Sequence, residues 1–191
     1  MKQANPFYVV LLHEGMLNKS GEVVTTSLTL IDIHDMARSG RTYGIKGLFI
    51  AHPSPTLHNL ADVLHEHWSE GFGSTYNPDR KEAISIVRVV STLDEALKQI
   101  KKNEGKPPRL VATSARHDSK KRISFSELKE EMEHGATPIL LMLGTGWGMS
   151  PVLLDKVELI LEPVLGPGDY NHLSVRSACA IMLDRLFART S

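Results

Sequence analysis

Short runs of consecutive apolar residues recur along the chain, at positions 8–12, 47–52, 84–90, 110–114, 139–143 and 157–161. Runs such as ILLML carry no polar position on either side, the pattern of strands covered by helices on both faces. Between them the apolar spacing lengthens to that of helices with marked ends. Ser54 and Pro55 open one helix, with Leu57, Leu60, Ala61, Leu64 and Trp68 on one stripe and Gly71 as its stop. Thr92 with Glu95, and Ser124 with Glu127, are capping boxes ahead of Leu93 and Leu128, and Gly135 closes the second helix. The final helix carries Val175, Ala178, Cys179, Met182 and Leu186 on one face.

Residues 23–44 fit neither period well. Thr25, Thr26 and Ile31 are β-branched and favour a strand. Leu28, Ile31, Met36 and Ala37 trace a loose helical stripe, so a helix over 26–40 is expected. The alternation then predicts an α/β fold: one three-layer domain, residues 1–191, around a six-stranded, mostly parallel sheet. No repeat, composition break or low-complexity tract divides it.

Composition changes that picture little. Apolar residues at 41% and charged residues at 23% are those of a folded globular chain. Lys+Arg and Asp+Glu both total 22, so no overall field recruits nucleic acid, and any RNA contact must be local. The single cysteine, Cys179, excludes an internal disulfide and suits a reducing, cytoplasmic setting. No apolar run reaches membrane-spanning length, and the first residues do not read as a signal peptide.

Candidate chemistry gathers in few places. MLGTGWGMSP (142–151) is a glycine-rich turn directly after a buried strand, where ligands bind in open α/β sheets. It is neither a P-loop nor a dinucleotide fingerprint, and a plain strand-to-helix turn explains it equally well. His58, Asp62 and His65 share a helix face, but a solvated polar face explains them better than a metal site, so no metal is expected. ARHDSKKR (115–122) holds four cations, in a solvated loop or against phosphates. Arg38 and Arg41 lie three apart on a helix that feeds the next strand through Gly44. The stretch 170–176 opens the last helix with Tyr170, Asn171, His172, Ser174 and Arg176, more hydrogen-bonding groups than a cap needs.

Three stretches in order resemble the motifs of the SPOUT class of RNA methyltransferases. HDMARSGRTYGIKGLFIAHP is similar to the first, LGTGWG to the second, and LEPV followed by YNHLSVRSACAIMLDRL to the third. LLHEGMLNKSGEVVTTSL further resembles the start of a small bacterial SPOUT group of unassigned substrate. The resemblance implies a C-terminal trefoil knot, S-adenosylmethionine as cofactor, tRNA or rRNA as substrate, and a homodimer whose sites draw on both subunits. One departure stands out. Where the ribose-methylating branch has an asparagine six residues before the arginine, this chain has Asp32, which cannot donate a hydrogen bond.

Turns free of bulky side chains let backbone groups read an adenine edge, and a helix start adds free N–H donors. The expected cofactor contacts are therefore Leu143, Gly144, Thr145, Gly146, Trp147 and Gly148 in the second motif. Leu161, Glu162 and Pro163 follow, with Tyr170, Asn171, His172, Leu173, Ser174 and Val175 in the third. Arg38 is expected to organise the nucleophile or an RNA phosphate, and Arg41 to clamp a phosphate. Asn18, His34 and Arg176 are expected substrate contacts, and His172 a proton relay. Two other functions fit the residues: a non-catalytic RNA-binding or assembly protein on this fold, and an α/β enzyme acting on a small phosphate ester.

Overall fold

The computed structural model describes residues 5–114 and 121–189, so most of the basic stretch 115–122 lies outside the described residues. In chain order the strands are β1 (Phe7–Leu12), β2 (Met16–Leu17), β3 (Val23–Val24), β4 (Gly47–Ala51), β5 (Val87–Val90), β6 (Arg109–Thr113), β7 (Arg122–Ile123), β8 (Ile139–Gly144) and β9 (Leu159–Leu161). The helices are α1 (Leu30–Thr42), α2 (Pro55–Ser69), α3 (Phe72–Tyr76), α4 (Pro78–Ile84), α5 (Leu93–Glu104), α6 (Phe125–His134), α7 (Pro151–Asp155) and α8 (Val175–Phe187). One sheet takes seven strands in the order β5-β4-β1-β8-β6-β9-β7, and every pairing in it is parallel. It has seven strands rather than the expected six because β7 supplies a two-residue edge too short to leave a periodic signal.

Strand alternation divides the core into the three layers. Val9 and Leu11 of β1 pack with Ile33 and Met36 of α1, Leu128 of α6 and Met182 of α8. Val10 and Leu12 point the other way, to Leu93, Ala96 and Ile100 of α5. The burial of both faces explains why these strands read as unbroken apolar runs.

Both expected capping boxes have physical counterparts. The Ser124 hydroxyl accepts from the Glu127 N–H, and the Glu127 carboxylate accepts from the Ser124 N–H at 2.8 Å. At α5 the Thr92 hydroxyl accepts from the Glu95 N–H, but the Glu95 carboxylate reaches one residue further back, to the Ser91 N–H. The run 84–90 is strand only from Val87, because Asn77 accepts from the Arg80 N–H and starts α4 across the preceding residues. The expected 26–40 helix begins only at Leu30. Thr26 is held extended by bonds to His13 on both backbone and side chain.

The parallel sheet brings the carboxyl ends of β1, β4, β6 and β8 to one edge. The chain leaves β1 outward through β4 and β5, then returns across to β6, and β8 fills the gap. Ligand crevices form at such a reversal. Strand β9 lies between β6 and β7, two strands already joined by an earlier stretch of chain.

Candidate cofactor and active site

At that edge lies a cleft of about 790 Å³, within the roughly 300–1,000 Å³ usual for small-molecule sites. The second-motif residues 143–148 form one wall, with Leu143, Gly144, Thr145, Gly146, Trp147 and Gly148 all lining it. Gly146 and Gly148 take φ of +60° and +101°, a region that favours glycine.

The turn is braced from beneath by the segment after β1. Leu17 donates its N–H to the Gly148 carbonyl at 2.8 Å, and Trp147 returns a bond to the Leu17 carbonyl at 3.0 Å. Ser150 bonds the Gly15 carbonyl, and the Thr145 N–H reaches the Met16 sulfur at 3.3 Å. The β2–β3 hairpin and the glycine turn therefore hold one another.

The opposite wall comes from the loop after β9 and the start of α8. Pro163, Asn171, His172, Leu173, Ser174 and Val175, expected as cofactor contacts, and Arg176, expected as a substrate contact, line it. Ser174 caps α8 by accepting from the Ser177 N–H, which leaves Asn171 available to the cleft. Three expected contacts lie outside the lining. The Leu161 side chain is buried in the core, Glu162 accepts from the Phe125 N–H at 2.8 Å, and Tyr170 is exposed, edge-on to His172.

Sequence reasoning missed Thr113 and Ser114 at the end of β6, together with Met149, Val164 and Met182. The rule that ligands meet the carboxyl ends of strands would have found Ser114, which ends an apolar run. Asp32, noted only as a departure, lines the cleft too. Its carboxylate accepts from the Thr29 hydroxyl and from Arg176 at 3.1 Å, and Arg176 also faces Asp35 at 3.5 Å. Arg176 is thus an ion-pair link between α8 and α1 as well as a wall residue.

The other expected substrate residues stand apart from this cleft. Arg38 is exposed on α1, and Arg41 is paired with Glu82 of α4. His34 packs edge-on against Trp68 at 5.7 Å, with its Nδ1 buried and unpartnered among the described residues. Burial foremost, then the charge of Arg80, lowers its pKa. Asn18 spends its side chain on its own turn, accepting from the Ser20 and Glu22 N–H groups and donating to the Glu22 carboxylate. His58 bonds the His52 carbonyl, and among the described residues no cluster of three or more His, Cys, Asp or Glu could hold a metal. Burial pushes the Cys179 thiol up to about 12, which removes it as a nucleophile.

Behind the turn sit two buried histidines. His52 donates from Nε2 to the Thr26 carbonyl and accepts the Ser54 N–H at Nδ1, each at 3.0 Å, so its tautomer follows. His13 faces the Thr26 hydroxyl through Nδ1 at 3.1 Å, and that hydroxyl meets the Thr145 hydroxyl. His13 Nε2 has no partner among the described residues. Desolvation foremost, then His52, lowers the His13 pKa from 6.5 to about 4, against the opposing pull of Asp32. The unfolded chain therefore binds a proton first as pH falls. His13 costs no stability above pH 6.5, and stability drains away between there and about 4, by up to roughly 3 kcal/mol. His13→Gln should flatten the loss of melting temperature across that interval. A parent-like acid slope in the variant would count against His13 as its source.

A cleft of mixed lining at the carboxyl edge of a parallel sheet, with a glycine turn and a polar helix start, is where an open α/β fold takes a small-molecule ligand. The chain belongs to the SAM-dependent RNA methyltransferase family, whose model matches residues 6–188. It is 39% identical over 182 residues to an uncharacterized protein of Aquifex aeolicus, covering 95% of this chain and 88% of that one. It is also 39% identical over 179 residues to a tRNA (guanine-N(1)-)-methyltransferase of Oleidesulfovibrio alaskensis, covering 94% of this chain but 41% of that protein. More than half of that relative therefore lies outside the match. Among solved structures, the SpoU methyltransferase AviRb of Streptomyces viridochromogenes, in complex with AdoMet, superposes with a TM-score of 0.58 at 14% identity. That match covers 98% of this chain and 61% of that one. This likeness concerns the fold alone.

Proposed function

We propose that this chain itself transfers the methyl group of S-adenosylmethionine to RNA, holding the cofactor between residues 143–148 and 171–175. The observation that carries this is the convergence on one cleft of the glycine turn and the start of α8, from the second and third motifs, with Asp32 of α1 two residues ahead of the first. The residues suit the group. Leu143, Met149, Val164 and Met182 offer apolar walls to a purine, and Asn171 and Ser174 offer hydrogen bonds to the polar remainder. When bound, the cofactor supplies an electrophilic methyl. The chain's part is to align the acceptor and take up its proton.

Isothermal titration should give saturable S-adenosylmethionine binding, with ATP and NAD bound poorly, and radiolabelled cofactor should label undermodified bulk RNA. Binding without labelling would turn the reading toward the non-catalytic RNA-binding alternative. Preference for ATP would favour the phosphate-ester enzyme. The substrate we favour is tRNA or rRNA. The guanine specificity in the relative's name is not carried over, because most of that protein is unmatched.

The remaining expectations belong to this reading. The chain, residues 1–191, acts as one domain, and the passage of β9 between β6 and β7 supports a trefoil knot completed by the C-terminal segment. The reduced, buried Cys179 suits the cytoplasm. No helix of the described residues is long and apolar enough to cross a membrane. Exposed Trp147, Leu165 and Leu173 beside the cleft, with Ala178 and Ala180 on α8, favour a homodimer over this face. Light scattering at micromolar concentration should report twice the chain mass. A monomer would remove the shared-site model.

A further inference from the structure

Among the described residues Asp32 is the only buried carboxylate, at 8% exposure, and it lines the cleft. Its position is fixed from both sides. It stands in the first turn of α1, the Thr29 hydroxyl donates to Oδ2, and Arg176 of α8 donates to Oδ1. Helix capping and an interhelix ion pair account for those two bonds, yet they do not account for a carboxylate facing a cofactor-sized space. We propose that Asp32 is the general base of methyl transfer, and that the acceptor is a hydrogen-bearing nitrogen of a nucleobase, not a ribose hydroxyl. This rests on the methyltransferase reading above.

Few groups at the cleft can take a proton. Arg38 and Arg41 stand apart from it, and the Arg176 guanidinium, which does line it, stays charged and is already paired. Asp169 and His172 also line the cleft, but both are exposed on the loop ahead of α8 and lack the two-sided anchoring of Asp32. The groups facing Asp32 are Arg176 from α8, which it shares with Asp35 of α1, and, just past the end of β1, His13, which burial keeps neutral near pH 7. The site thus sets the Asp32 carboxyl against one cation, Arg176.

Proton affinity decides the substrate atom. A carboxylate is a weak base, well matched to a nucleobase N–H whose acidity rises as methylation begins. It is poorly matched to a ribose hydroxyl, a far weaker acid. As an acceptor-only group, an ionised carboxylate can also orient an N–H before reaction. In the step, the nitrogen lone pair forms a bond to the methyl carbon and the carbon–sulfur bond breaks with its electron pair going to sulfur. The nitrogen's proton passes to the Asp32 carboxylate. The sulfonium's positive charge and the carboxylate's negative charge are both discharged, so the step balances.

The test labels bulk undermodified RNA with methyl-labelled cofactor, digests it to nucleosides, and locates the label on base or sugar by mass spectrometry. Label on a base is expected, and label on ribose overturns the inference while leaving the methyltransferase reading intact. If no RNA pool accepts label although the cofactor binds, the transferase reading falls and takes this inference with it. Asp32→Asn, which keeps the volume and an acceptor for Arg176, should bind cofactor within a few-fold of the parent and melt near it. Its single-turnover transfer should fall on the order of a hundredfold and recover as pH rises, when the acceptor sheds its own proton. A merely structural Asp32 predicts parallel loss of melting temperature and cofactor affinity, with no such recovery. Should Asp32→Asn unfold, Asp32→Glu keeps the charge and should retain part of the rate. A folded, cofactor-binding Asp32→Glu as inactive as Asp32→Asn would count against the base role, and parental transfer by any folded Asp32 variant lacking a carboxylate would end it.

Discussion

Gly146→Val is expected to weaken S-adenosylmethionine binding at least tenfold and to lower the melting temperature by several degrees. Gly146 sits at φ +60°, where a side chain is strained, and a Cβ there would meet the Leu17 carbonyl oxygen at 2.9 Å and Thr26 Cγ2 at 3.2 Å. Neither neighbour yields readily. The Leu17 carbonyl is the acceptor for the Trp147 N–H, and Thr26 is held by His13 and Thr145. Backbone strain of this kind costs about 1–3 kcal/mol, and a chain of this size loses about 2–4 °C per kcal/mol. Affinity should suffer more than stability, since the turn must move away from the hairpin and into the cleft it lines. Gly166→Ala is the control: its Cβ meets nothing within 4 Å and its φ is not in the left-handed region, so melting should stay parental. Parental cofactor affinity in Gly146→Val, measured by titration calorimetry, would mean that the turn is not a cofactor wall.

Why the glycine turn was legible and its support was not follows from the range of the interactions. The runs at 8–12, 47–52 and 139–143 are apolar on both faces because helices cover both faces, and that requirement is written locally in each strand. A glycine-rich turn after a buried strand likewise announces itself. By contrast, what keeps residues 26–29 out of α1 is a set of bonds from Thr26 to His13 and Thr145, partners 13 and 119 positions away. Local propensity cannot register such partners, so the loose stripe from Leu28 to Ala37 drew the expected helix too far forward. β7 escaped for a different reason, since two residues cannot establish a period.

The cleft divides in the same way. Asn171 and Ser174 stood out as surplus polarity at a helix start. Asp32 stood out only as a departure from the asparagine of the resemblance, and its place at the cleft came from the packing of α8, which brings Arg176 against it. Asn18 carried the opposite bias: a polar residue in a distinctive motif, whose hydrogen bonds prove to be consumed by its own turn.

Arg38→Ala should leave cofactor affinity within a few-fold yet reduce single-turnover methyl transfer on the order of a hundredfold, equal to about 3 kcal/mol for one positioned charged donor. Arg38→Lys should recover little, because an ammonium lacks the planar fork of donors. Arg41→Ala, which breaks the pair with Glu82, should chiefly weaken RNA binding and flatten its salt dependence. The exposed placement of Arg38 sharpens this expectation, since it does not line the cleft of its own chain. If Arg38 acts at the reacting atoms it comes from another subunit, and the proposed two-fold dimer would offer it to the neighbouring cleft. Mixing decides the matter. Arg38→Ala chains keep an intact cleft, and Gly146→Val chains keep the arginine. Each alone should be nearly inactive, while dimers reassembled from both should recover transfer at the one site that unites an intact cleft with an intact Arg38. Failure to recover activity in verified mixed dimers would place both roles in a single subunit. Parental activity in Arg38→Ala alone would reduce Arg38 to an ordinary surface arginine.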